Sequence, residues 1–168
     1  EAIAADLRNA DMLGLLLKQG FGGLEPDEMI AEIKERLTEE LDYRREARNQ
    51  QEFAAFYRGH PFIRIPEVVP GLSTARVLTS ELVNGHTWDE LLTWDQPERD
   101  LAGESIFRFV FRSLYRMRAF NGDPHPGNYL FHGDGRVTFL DFGLVKHFAD
   151  HEMATFIGMV RAAAYDHD

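Results

Sequence analysis

Gly122-Asp-Pro-His-Pro-Gly-Asn-Tyr-Leu-Phe131, followed after a short interval by Leu140-Asp-Phe-Gly143, is the stretch whose reading decides the fold. Two prolines and two glycines within residues 121–128 forbid a helix there. Tyr129–Phe131 and Arg136–Phe142 read as strands around a tight turn at Gly133-Asp134-Gly135. A rigid hairpin of this kind can hold Asn128, at the head of one strand, and Asp141, near the end of the other, within reach of one divalent cation. A carboxylate and an amide are the hard oxygen ligands that Mg²⁺ takes. Asp123 then supplies a nearby carboxylate that can orient a hydroxyl or a water.

Working outward, residues 98–120 carry helical spacing, with Leu101, Phe107, Val110, Leu114 and Met117 as the expected inner stripe. Upstream, residues 3–19 and a long segment from Pro26 to about Tyr57 read as helices, separated by Gly20, Gly22 and Gly23. Pro66–Val69 and Arg76–Val83 are short, β-branched and apolar, and predict two neighbouring strands joined by a turn at Pro70–Ser73. Residues 150–165 return to helical spacing through Met153, Phe156, Val160 and Ala163. The segregation of elements predicts an α+β fold.

The 168 residues are one domain's worth, or part of a larger one. With 28 acidic against 18 basic side chains the formal net charge is −10, which argues against a nucleic-acid partner. No apolar run approaches the roughly 18 residues a membrane-spanning helix needs. Cysteine is absent, so disulfides and thiolate metal sites are excluded. The chain opens on Glu1, which suggests a piece of a longer protein or a processed product, expected to be soluble as supplied and on the cytoplasmic side.

Asp123 and Asn128 have the Asp-x-x-x-x-Asn spacing of a kinase catalytic loop, and Asp141-Phe142-Gly143 follows after a hairpin, as the magnesium-binding triplet does in kinases. Together with Glu40-Leu-Asp-Tyr-Arg-Arg-Glu-Ala-Arg-Asn49 and Ser73-Thr-Ala-Arg-Val-Leu-Thr-Ser-Glu-Leu82, these motifs resemble the UbiB/ADCK family of atypical protein-kinase-like proteins over nearly the whole chain. The resemblance implies a partial protein-kinase-like fold: residues 1–83 as part of the N-lobe with two hinge-side strands, residues 84–168 as the start of a helical C-lobe. It implies ATP or ADP with Mg²⁺, and a role supporting coenzyme Q (ubiquinone) or related isoprenoid-lipid metabolism. By position it assigns Asn128 and Asp141 to the metal, Asp123 to the catalytic loop, and Glu46 to the pairing with a nucleotide-binding lysine. Glu81 and Val83 become hinge groups facing adenine, and Glu40 and Asp42 the family's Glu-x-Asp feature. Whole family members are implied to associate with membranes, peripherally or integrally, through segments outside this chain, where an isoprenoid or quinone lipid would be met.

Asp42, Glu46, Asn49 and Phe53 also share one helix face by spacing alone. That face fits a cation-facing row, or a solvated acidic surface neutralised by Arg45 or Arg48. Several family features are missing: the Lys-x-Gly-Gln segment, the alanine-rich nucleotide loop and the strand lysine. The chain's lysines are Lys18, Lys34 and Lys146, none in a Val-Ala-Val-Lys strand. A fragment with weak or absent turnover is the resulting expectation. Asn121 stands where typical kinases carry His, and His125, between two prolines, is expected to brace its loop. Two other functions stay open: a small-molecule phosphotransferase of the aminoglycoside- or choline-kinase type, and a non-catalytic nucleotide-binding scaffold.

Overall fold

The computed structural model describes residues 43–165. The helix expected over 3–19, the start of the long helix, and Glu40 and Asp42 lie outside them. The described elements are α1 (Tyr43–Tyr57), β1 (Ile63–Arg64), α2 (Trp88–Leu91), α3 (Gln96–Arg112), β2 (Ala119–Asn121), β3 (Tyr129–Phe131), β4 (Val137–Phe139), β5 (Val145–His147) and α4 (Asp150–Tyr165). β3 and β4 form the expected antiparallel hairpin, with Tyr129 opposite Phe139 and Phe131 opposite Val137. β1 adds to β4 in parallel, Ile63 opposite Val137. A separate ribbon pairs β2 with β5, Asn121 opposite Val145.

The hairpin turn follows from its glycines. Gly133 and Gly135 have φ of 80° and 78°, where side-chain-bearing residues are strained. A Cβ on Gly135 would also come within 3.2 Å of the Leu101 Cβ. Ser105 Oγ donates to the Gly135 carbonyl at 2.5 Å, which ties α3 to the turn. This close approach corrects the expected inner stripe of α3. Leu101 and Phe107 are exposed, while the small residues Ala102 and Ser105, with Phe109, face inward. Val110, Leu114 and Met117 of that stripe do pack inward, so apolar spacing misplaces only Leu101 and Phe107, where the hairpin needs small side chains beneath it.

Three further corrections concern element ends. Residues 66–69 and 76–83 run side by side, with Val69 N–H on Thr79 O and Glu81 N–H on Glu67 O, both 2.8 Å. They make only an isolated antiparallel bridge, Val68 to Ser80, rather than two strands. Side chains take the ladder's place: Ser73 Oγ donates to Val69 O, Thr79 N–H donates to Ser73 Oγ, and Thr79 Oγ1 donates to Leu72 O. The helix expected to reach residue 120 gives way to a π turn at Ser113–Met117 and stops at Arg118, whose φ of 55° is left-handed. β2 follows where helix was expected. At its other end α3 starts earlier than residue 98, because Asp95 Oδ1 accepts the Glu98 N–H at 3.0 Å.

Aromatic rings dominate the core. Phe109 stacks on Phe139 at 3.7 Å between centroids, Phe53 lies 5.7 Å from Phe109, and Phe142 lies 4.9 Å from Phe53. Phe53, Phe139 and Phe142 are fully buried. Tyr57 locks α1 onto α3 where the helix changes pitch. Its hydroxyl donates to the Phe109 carbonyl at 3.1 Å and meets Ser113 Oγ at 2.8 Å. The Phe109 carbonyl also accepts the Ser113 N–H, so the hydroxyl enters the helix ladder at the start of the π turn. Burial raises the Tyr57 pKa, against the Ser113 hydrogen bond. Tyr57→Phe should therefore lower stability by about 1 kcal/mol. Urea unfolding with an unchanged slope and a lower midpoint is the expected readout.

Candidate functional site

Asp-Phe-Gly occupies the crossing between the two sheets. β4 ends at Phe139 and β5 begins at Val145, so residues 140–144 leave one ladder before joining the next. The ladder of β3 and β4 is extended by one bond, Leu140 N–H to Asn128 O at 3.0 Å. Asn128 thus lies directly across from Leu140, and Asp141 is the next residue along. The expected juxtaposition of Asn128 with the Asp141 segment is present in the backbone.

Side chains then fix each member. Asn128 Nδ2 donates to Asp123 Oδ2 at 2.9 Å, which orients the amide by giving its nitrogen to the loop carboxylate. Asp123 N–H donates to Asn121 Oδ1 at 3.2 Å, and Asn121 Nδ2 donates to the Asp141 carbonyl at 2.7 Å. Asp141 Oδ1 accepts the Gly143 N–H at 2.9 Å. One hydrogen-bonded sequence therefore runs from Asn128 through Asp123 and Asn121 to Asp141. The charge of Asp123 also reaches Tyr129, whose pKa is raised by burial first and by that carboxylate second. His125 braces the loop as expected, its Nδ1 accepting the Gly127 N–H at 3.0 Å.

α1 supplies the opposite wall. Burial, and then the neighbouring Asp141 charge, push the Glu46 carboxyl above its ordinary value, against a hydrogen bond from the Phe142 N–H. A Cβ on Gly143 would lie 3.3 Å from Asp141 Oδ1 and 3.9 Å from Glu46 Oε2, so both carboxylates border that glycine. Asn49, a turn further along, donates from Nδ2 to the Phe142 carbonyl at 2.9 Å. The expected shared face of Glu46, Asn49 and Phe53 is thus turned toward Asp-Phe-Gly. Further along α1, Glu52 Oε2 meets His147 Nε2 at 2.8 Å, linking the helix to β5.

Glu81, expected at the hinge, gives its N–H to the Glu67 carbonyl and accepts from Arg64 on its carboxylate at 2.5 Å. Lys146 pairs with Glu152 at 3.1 Å. Sequence reading missed the grip of Asn121 and Asn49 on the triplet's carbonyls; the shared face of 46, 49 and 53 was the available signal.

Comparison with known proteins agrees with this architecture. A family model described as the ABC1 atypical kinase-like domain matches residues 1–168. The mitochondrial atypical kinase COQ8B of Rattus norvegicus is 34% identical over 98% of this chain and 31% of that protein. The mitochondrial atypical kinase COQ8 of Saccharomyces cerevisiae is 31% identical over 89% of the chain and 30% of that protein. A solved structure, described as the complex of Rv3197 with erythromycin from Mycobacterium tuberculosis, superposes with a TM-score of 0.77 and 34% identity, covering 98% of this chain and 43% of that one. The chain thus spans about a third of the length of these curated relatives. Among the described residues no helix is long and apolar enough to cross a membrane.

The site's geometry rests on Phe142. Phe142→Ala should cost about 3–5 kcal/mol by opening a cavity against Phe53. Phe142→Leu should keep most of that stability, as denaturant midpoints will show.

Proposed function

Because the chain belongs to the ABC1 atypical kinase-like domain family, we propose that it forms the metal- and nucleotide-holding part of an ATP- or ADP-dependent atypical kinase or ATPase. The whole protein would support ubiquinone or related isoprenoid-lipid metabolism, a reading supported by its COQ8 relatives. The observation that carries the proposal is the linkage of Asn128, Asp123, Asn121 and Asp141 by successive hydrogen bonds at one end of the β3–β4 hairpin.

The donor chemistry fits a hard cation. With its nitrogen committed to Asp123, Asn128 keeps its amide oxygen for a ligand, and Asp141 keeps the oxygen that Gly143 does not use. Among the described residues no three His, Asp or Glu side chains gather as a metal cage. A Mg²⁺ on Asn128 and Asp141 would therefore complete its shell with phosphate and water oxygens. When bound, it would neutralise phosphate charge as a phosphoryl group is transferred. Asp123 would orient the attacking hydroxyl or water, the Glu81 carbonyl and Val83 would face adenine, and Glu46 would meet a lysine from the remainder of the whole protein. Glu40 and Asp42 keep the motif role implied by the family resemblance.

A small-molecule phosphotransferase is the second reading, favoured by the solved relative described in complex with erythromycin. Retained binding with no hydrolysis of any tested substrate by the full-length protein would favour a scaffold instead.

The deciding measurement is thermal stabilisation of the protein by ADP or ATP, with and without Mg²⁺. At a hundredfold excess over Kd a ligand should add about 2.7 kcal/mol, and Asp141→Ala should remove the Mg²⁺-dependent part. Stabilisation indifferent to both Mg²⁺ and Asp141 would overturn the assignment. The isolated 168-residue chain should hydrolyse ATP several powers of ten below the roughly 1–100 s⁻¹ of ordinary kinases. Turnover in that range, abolished by Asp141→Ala, would contradict this.

A further inference from the structure

Four consecutive backbone groups around Phe142 are each assigned a partner. The Asp141 carbonyl accepts from Asn121 Nδ2 at 2.7 Å, and the Phe142 N–H meets the Glu46 carboxylate. The Phe142 carbonyl accepts from Asn49 Nδ2 at 2.9 Å, and the Gly143 N–H meets Asp141 Oδ1 at 2.9 Å. The two carbonyls are thus held by primary amides from different elements, β2 and α1. Those amides lie 20 and 93 residues away in sequence. Asn49 is only 7% exposed, and a polar side chain is costly at such a depth unless it is hydrogen-bonded. An apolar side chain would fill the same space. What it lacks is a direction, and a directed donor selects one orientation of the peptide it meets.

Exchanging the places of Asp141 and Phe142 would break both of these hydrogen bonds and withdraw a fully buried ring from Phe53. Each amide is itself secured. Asn121 accepts the Asp123 N–H, so the side chain that grips the Asp141 carbonyl also holds the backbone of Asp123. Asn49 lies between Glu46 and Phe53 on one face of α1, and both of these also touch Phe142.

We propose that Asn49 and Asn121 are positioning residues that form a two-amide clamp on Asp-Phe-Gly, fixing the direction of the Asp141 carboxylate and coupling the placement of α1 to cation affinity at Asp141. The clamp rests on the reading of Asp141 as a metal ligand. It predicts that loss of either amide weakens cation binding without a matching loss of nucleotide binding.

The test uses the full-length protein, with Mn²⁺ as a spectroscopic probe for Mg²⁺ and ADP as nucleotide. Asn49→Leu and Asn121→Leu should each weaken Mn²⁺ binding in the ADP complex about tenfold, leaving metal-free ADP affinity within about twofold. Hydrogen exchange at the Gly143 amide should accelerate by a similar factor. Asn121→His, which keeps a ring N–H donor, should recover most of the Mn²⁺ affinity. Should Asn49→Leu fail to fold, Asn49→Gln carries the comparison, with a Mn²⁺ loss of at least threefold expected from its displaced amide. Folded variants with unchanged Mn²⁺ affinity, while Asp141→Ala abolishes it, would overturn the clamp alone. Mn²⁺ affinity indifferent to Asp141→Ala would overturn the clamp and the metal assignment together. Equal losses of Mn²⁺ and metal-free ADP binding would reduce the two asparagines to general packing, and also overturn it.

Discussion

A peptide group shut away from water must find a hydrogen-bonding partner, and residues 141–143 meet this constraint between two ladders whose last bonds are made by Leu140 and Leu144. They leave β4 at Phe139 and reach β5 only at Val145, while Phe142 in their midst is fully buried. Side chains from three separate places supply the missing partners: Glu46 and Asn49 from α1, Asn121 from β2, and Asp141 from the segment itself. The same need explains why α1 lies where it does. Its inward face must carry polar groups at 46 and 49 and a ring at 53, in that order, to match a polar backbone beside a buried aromatic.

Electrostatics give that arrangement its chemical character. Glu46 and Asp141 border one glycine, and part of the upward push on the Glu46 carboxyl comes from Asp141. Two carboxylates brought so close favour a cation, from the solvent or from the remainder of a longer chain. Other ionic contacts in the described residues have less consequence. Arg58 with Glu67, Arg108 with Glu104 and Arg136 with Asp134 sit on the surface, where such pairs contribute little.

What could be read from the sequence follows the strength of local signals. Residues 121–128 carry so many prolines and glycines that a loop was the only reading, and Gly133-Asp134-Gly135 marked the hairpin as plainly. The placement of Asn128 beside the Asp141 segment followed from those two facts. Long-range choices were less visible. Apolar spacing in α3 pointed to Leu101 and Phe107, yet the hairpin turn demanded Ala102 and Ser105. Arg118 gave no warning of a left-handed stop, since nothing in its side chain favours that conformation. The strands expected at 66–69 and 76–83 were weakened by Ser73 and Thr79, whose hydroxyls compete for the same backbone groups. Asn49 and Asn121 looked like ordinary polar residues, because their partners lie across the fold.

The parallel pairing of Ile63 with Val137 has a consequence for the order in which the molecule can be built. During synthesis the first partner emerges long before the second, and at roughly 5–20 residues per second the interval lasts several seconds. Throughout it Ile63, Phe53 and Tyr57 have no finished core to enter, and the sheet cannot nucleate from its N-terminal edge. The nascent chain is then at its stickiest, so this domain should depend on chaperones at the ribosome more than a fold built from neighbouring hairpins would.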